Sequence, residues 1–406
     1  MITRATILLL AVVLFAGIWM GCKEDPPASL YDPNYVSGPQ PVVTGIVPAA
    51  GALAGVTTLT INGQNFSPVA GDNLVFFDKT PVTVLASTTT QLTLKAPVLP
   101  KDSISVKVAV AKSDLFSTAV LYKLDLAANE KFASFGSGEE GVGVECDTAG
   151  NLYVSMISLT GGIGVKKFTT AGVKSDYSPL FSASVASWKN MKFGPGGAIF
   201  CTATGRSIIF RIPPGGGASA VWQSGGGLGV LADLDFDANG NVWASGTNGT
   251  IYRVSPTKVI KAFPCTGTLR AIRVYNNAVY VGGKRDSLEK VWKFPIIGTD
   301  SLDAEQEYFN LSSVYGANGS SVNAMTFSLD GDLYIGTDNA EGIRLVHPSK
   351  ASEAYYSGLI KGTTVSITWG KGTDLFQSRS SIPGPASSVK INTQKAGAPY
   401  YGRTLP

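Results

Sequence analysis

Six loose copies of one phrase, spread from Gly141 to the C-terminus, constrain what this 406-residue chain can fold into. The clearest copy covers residues 234–245. It has a strand ending in Asp235-Phe236-Asp237, a turn through Ala238, Asn239, Gly240 and Asn241, and a second strand opening with Val242-Trp243. Weaker copies lie at 144–155, 191–200, 272–281, 325–335 and 367–376. The residue just after the turn falls at 151, 198, 241, 278, 332 and 374, a mean spacing of about 45. One such unit cannot bury its own apolar face, but six arranged radially can. That period, built from short strands and Gly or Asn turns, indicates a six-bladed β-propeller. Any site then belongs on the loops around its central channel.

Aligned on the turn, the first strand of each copy has an apolar column, Val144, Met191, Leu234, Ile272, Met325 and Ile367. Two residues later comes another, Cys146, Phe193, Phe236, Val274, Phe327 and Trp369. Between them stand Glu145, Lys192, Asp235, Arg273, Thr326 and Thr368, none of them apolar. Period-two alternation puts this column on the opposite face of the strand. It is expected to line the channel as a polar ring whose first four members alternate in sign. Such neighbours keep one another ionised and cancel the ring's field, which favours a structural role over a ligand floor.

The N-terminus carries Arg4, an apolar run from Ile7 to Met20, and Gly21-Cys22. That run is too short to span a bilayer and suits a secretory signal. It resembles a bacterial lipoprotein signal, which implies cleavage after residue 21 and lipid on Cys22; Trp19 departs from the pattern. The following Lys23-Glu24-Asp25-Pro26-Pro27 resembles the tethers of Gram-negative surface lipoproteins. Residues 22–40 read as a flexible tether reaching about 50 Å at polyproline rise. Cys146, Cys201 and Cys265 show no CxxC spacing and read as buried free thiols rather than a bridge or metal site. The net charge of +4 is spread evenly, with no basic stripe, so nucleic-acid binding is not expected.

Residues 41–123 alternate short strands with Gly and Pro clusters, as a small β-sandwich does. Val43-Thr44-Gly45-Ile46-Val47-Pro48, Gly51, Gly55, Leu59-Thr60-Ile61-Asn62-Gly63-Gln64-Asn65-Phe66 and Ala96-Pro97 resemble an IPT/TIG domain. This resemblance implies an immunoglobulin-like spacer or partner-binding unit. From 124 to 406 the repeats resemble NHL-type and SMP-30-like six-bladed propellers. The fold class expected is therefore all-β, a sandwich followed by a propeller. Two segments compete to complete the last blade, Lys131–Phe135 and Ala398–Gly402.

The channel mouth is expected where chain enters each first strand, together with the loops between second and third strands. Candidates are Glu139, Glu140, Trp188, Asn190, Asp233, Arg270, Asn323 and Ser366, with Arg285 and Asp286 in a longer loop. Tyr315 lies in the insertion from Tyr308 to Ser321. Aromatic faces beside amide and charged groups suit a sugar, so Trp188, Asn190, Asp233, Arg270, Tyr315 and Asn323 form the expected ligand set. The competing reading packs Trp188 and Tyr315 between blades. SMP-30-like lactonases hold a divalent metal with Glu, Asn and Asp from different blades, and Glu140, Asn190, Asp233 and Asn323 match by type alone. The calcium-like start at Asp235 lacks its twelfth-position carboxylate, which is Gly246. The lone His347 lies in a third-strand region, away from the mouth.

The leading expectation is a non-catalytic lipoprotein of the outer membrane, displayed at the cell surface, with a periplasmic orientation as the alternative. Its partners would be the membrane, through lipid on Cys22, and a glycan, by resemblance to similarly built lipoproteins of glycan-uptake systems. No cofactor and no metal is expected. The alternatives are a protein-docking platform in an envelope complex and a metal-dependent lactonase or esterase.

Overall fold

The Gly63-Gln64-Asn65-Phe66 phrase shows how sequence sets local structure in the first domain. A Cβ on Gly63 would lie 2.0 Å from the Val42 carbonyl oxygen and 2.4 Å from the Phe66 ring, so only glycine fits beneath that ring. Asn65 takes the left-handed backbone (φ 63°), which turns Phe66 into the core. The computed structural model describes residues 34–133, 135–182, 184–185, 187–380 and 386–401. The signal segment and Cys22 lie outside the described residues.

The first domain is a sandwich of two sheets. One contains Val42–Val47, Thr58–Gln64, Gln91–Lys95 and Val84–Ser87; the other contains Ala52–Leu53, Val120–Asp125, Lys101–Val110, Asn73–Phe77 and Thr80–Val82. Leu59, Ile61, Phe77, Leu92, Leu94, Ile104, Val106 and Val108 are fully buried between them. The tether assignment is corrected at its C-terminal end. The Tyr35 hydroxyl donates to the Lys112 carbonyl, Gly38 N–H donates to the same oxygen, and Gln40 donates to the Phe116 carbonyl. These bonds tie residues 35–40 along the sandwich.

Six sheets follow, and their innermost strands are Glu140–Cys146, Asn190–Phe193, Leu231–Phe236, Thr268–Tyr275, Val322–Phe327 and Thr364–Trp369. Each contacts the next around the ring, and the sixth contacts the first. The apolar column of these strands is buried. We number the blades 1–6 in that order. Ala128–Ala133 pairs with Ser387–Asn392 and supplies the outermost strand of blade 6, so the N-terminal candidate closes the ring. Only Leu126 and Ala127 separate this strand from the sandwich's Val120–Asp125.

The C-terminal candidate does something else. Residues 393–401 cross the face that carries the turns between first and second strands. Leu329 N–H donates to the Ala396 carbonyl (2.8 Å) and Ala398 N–H to the Phe327 carbonyl (3.0 Å). Gly397 passes so close to the Trp369 indole that a Cβ would lie 2.2 Å from it. Tyr400 is buried in the channel, where its oxygen accepts from Phe327 N–H (3.2 Å). Tyr401 reaches blade 3, packing on Phe236 (5.6 Å) and donating to the Ala238 carbonyl. This strap plugs one end of the channel. Among the described residues, no helix is long and apolar enough to cross a membrane.

Candidate functional site

The innermost strands of neighbouring blades share no backbone ladder, so side chains tie them together. All six members of the polar column are buried. Lys192 meets Glu145 at 2.8 Å, a charge contact rather than an aligned hydrogen bond, and Thr368 donates to the other Glu145 oxygen at 3.0 Å. Arg273 does not pair with its column neighbour Asp235. It turns to Asp233, 2.6 Å away, and Asp233 also accepts from Ile272 N–H (3.0 Å). Thr326 reaches Tyr400.

Both buried cations thus already have carboxylate partners, and Asp235 is the surplus acid. It accepts only backbone bonds, notably from Val274 N–H at 2.8 Å. Burial pushes its carboxyl up to about 6 from the ordinary 3.8, against the pull of Arg273 and Lys192. A raised acid binds its proton in the folded state first. Its contribution to stability is therefore complete below the unfolded pKa and is lost as pH rises from 3.8 to about 6. Asp235→Asn keeps the acceptor and removes the titration. The stability of this variant relative to the parent should rise between pH 4 and 6, by about 2 kcal/mol. Urea unfolding at both pH values checks this, and a flat or falling difference contradicts it.

The ligand set expected from sequence does not form a cup. Trp188 is completely buried, packed on Phe210 (4.7 Å) between blades. Asn190 donates across to the Ala232 carbonyl (2.8 Å) and Asn323 to the Thr364 carbonyl (3.2 Å), each tying one blade to the next. Ser366 does the same by accepting from Val144 N–H. Arg270 is ion-paired to Glu289 and donates to the Val322 carbonyl. The Tyr315 hydroxyl is taken up by Glu341. At the rim of the same face, Arg285 is held by both oxygens of Glu305 and lies over Trp292.

On the opposite face the repeat explains itself. One Asp237 oxygen accepts from the N–H groups of Asn239 and Asn241, and the other accepts from the Asn241 amide (2.8 Å) and the Trp243 indole (2.9 Å). Asp147 holds Asn151 and Tyr153 in the same way. The signature aspartate is a clamp for the turn and the second strand, which accounts for the calcium-like spacing.

That clamp requires a long turn. In five blades the last paired residues flank a five-residue connection, for example Phe236↔Val242 and Phe327↔Leu333. In blade 4 Tyr275 pairs directly with Ala278, leaving only Asn276 and Asn277, both left-handed (φ 45° and 54°). The recess above this short turn is a cleft of about 650 Å³, within the ordinary range for ligand sites. Phe236, Asp237, Ala238 and Asn239 of blade 3 form one wall; Leu329 of blade 5 and Pro399 of the strap form another. A second hollow of about 290 Å³ shares Asp237, Asn239, Asn277 and Ile296 and runs on to Trp243 and Thr299. Sequence reasoning missed Tyr275, Asn276, Asn277 and Asn239 as site residues. The available signal was the shortest repeat spacing, between 241 and 278.

The metal set of the lactonase alternative does not fit this chain. The Asp233 carboxylate already receives a guanidinium and two backbone N–H groups, and among the described residues no three His, Cys, Asp or Glu side chains gather to hold an ion. His347 sits beside Asp332 (2.9 Å), which is shared with Lys395 of the strap. The nearest hydroxyl, that of Ser328, is engaged with Asp330 and the Asp332 backbone. Cys146, Cys201 and Cys265 are free and buried.

Residues 41–124 match the family model of the IPT/TIG domain. No curated protein matches the sequence. A protein of unknown function from Bacteroides thetaiotaomicron VPI-5482 has a similar structure, at 14% identity and TM-score 0.51, covering 89% of this chain and 100% of that one. A gluconolactonase from Xanthomonas campestris is similar over 64% of this chain and 88% of its own, at 14% identity and TM-score 0.50. At these identities the likeness shows the fold alone. An auxiliary nutrient binding protein from Bacteroides thetaiotaomicron VPI-5482 (10% identity, TM-score 0.48, 89% and 98% covered) is similar in outline only. The chain is an all-β protein, an IPT/TIG domain at residues 41–124 joined to a six-bladed β-propeller.

Proposed function

We propose that this is a non-catalytic envelope lipoprotein, anchored through Cys22, that binds glycan with the hairpin-turn face of its propeller. The observation that carries this reading is the blade 4 recess, where amides and an aromatic ring gather at the one shortened turn. The engagement of the Asp233 carboxylate with Arg273 and two backbone N–H groups supports binding over lactone hydrolysis. The test is a lactonase assay of the purified protein with added divalent ions, alongside a glycan array. Glycan binding without metal-dependent turnover is expected; a tightly held ion that requires Asp233 would overturn the reading. Surface display predicts loss of the protein from whole cells treated with protease, and full protection would place it inside.

A second reading, protein docking through the sandwich, is favoured by one observation. The outer side of its five-stranded sheet exposes Leu74 and Leu121, with Phe116 edge-on to Phe76 at 5.9 Å. A photo-crosslinker at Leu121 should then trap an envelope protein in cells, and no adduct would count against docking there.

A further inference from the structure

The blade 4 cleft carries more information than its position. Its lining contains no lysine or arginine. Its one carboxylate, Asp237, has both oxygens filled by four donors of its own turn and strand. An anionic ligand would lose water here without meeting a countercharge, and a cationic one would compete for a saturated acid. What the lining does offer is neutral hydrogen bonding. The side-chain amides of Asn239 and Asn276 bond to no described residue, and Asn277 spends only its nitrogen, on the Ile296 carbonyl. Each free amide presents donors and an acceptor together, as adjacent hydroxyls require.

Beside them Tyr275 is held flat. Its ring stacks on Phe327 (4.5 Å, 6° between planes), and its hydroxyl donates to the Leu329 carbonyl. The two-residue turn fixes the backbone of Asn276 and Asn277 beside the ring, both in the left-handed conformation. The Pro399 wall comes from the strap, which Lys395 fastens to Asp330 and Asp332. The recess is thus preformed rather than gathered by the ligand.

We infer that this cleft selects an uncharged, hydroxyl-rich glycan unit, stacked on Tyr275 and read by the amides of Asn239 and Asn276, and that it rejects uronic and sulfated sugars. The inference rests on the glycan-binding reading above and narrows it. The test is calorimetric titration of the full mature chain with neutral glucan, mannan, galactan and xylan oligosaccharides, and with oligogalacturonate and heparin fragments. Two variants accompany it: Tyr275→Ala, which removes the platform, and Asn276→Gly, which removes an amide while tolerating the left-handed turn. An unchanged far-ultraviolet circular dichroism spectrum and a cooperative urea transition show that each variant is folded. A neutral glycan should bind, the charged ones should not, and each variant should weaken binding by roughly tenfold, one polar or stacking contact's share. Charged glycans binding in a Tyr275-dependent way would overturn the inference and leave the glycan reading standing. Neutral binding that ignores both variants would overturn the cleft as the site. Binding of no glycan at all would overturn the reading on which the inference rests.

Discussion

Arg273→Met should lower the stability of the propeller by about 3–5 kcal/mol, the usual cost of leaving buried charge unpaired. Arg273 is 2% exposed and sits between two acids, Asp233 at 2.6 Å and Asp235. Methionine fills similar volume but leaves Asp233 without its cation and raises the cost of ionising Asp235 further. The loss should therefore be larger at pH 7 than at pH 5, where Asp235 is mostly protonated. Adding Asp233→Asn to Arg273→Met should recover part of the loss, because the two positions form one interaction and do not add. Urea unfolding of the single and double variants measures both quantities. A cost below about 1 kcal/mol for the single variant would mean that water reaches this end of the channel.

Asp237→Ala should cost about 2–4 kcal/mol, because four donors lose a charged acceptor at once and the Trp243 indole N–H is buried. The neighbouring Asn239→Ala, an exposed side chain with no bond to a described residue, should stay within about 0.5 kcal/mol of the parent. The contrast separates the clamp from the turn as a whole. If the two variants cost the same, the repeat's aspartate is not what holds the hairpin.

Much of the fold was legible because it rests on period and on local rules. The spacing of the turns counted six blades, and Gly63 with Phe66 marked the sandwich. Side-chain direction at the channel was harder to read. The ring column at Glu145, Lys192, Asp235 and Arg273 could be found from alternation, but alternation cannot say that Arg273 turns back to Asp233. Trp188 and Asn190 looked like mouth residues because they precede a channel strand. That position is where adjacent blades exchange hydrogen bonds, so the Ala232 carbonyl draws the Asn190 amide inward, while Trp188 is drawn in by packing on Phe210. The strap, whose end reads as a candidate blade strand at Ala398–Gly402, is misassigned by sequence for another reason. Residues 393–401 have no strand periodicity, and only the fold shows that Tyr400 enters the channel. The cleft arises from what blade 4 lacks, three residues of turn relative to the other five copies.

The most direct test of the central claim, that ligand is held on the hairpin-turn face, is amide hydrogen exchange on the purified protein with and without a bound neutral oligosaccharide. The account predicts added protection at 237–241, 275–278 and 296–299, with no change around Trp188, Asn190 and Asn323. Protection confined to that second set, on the opposite face, would contradict it.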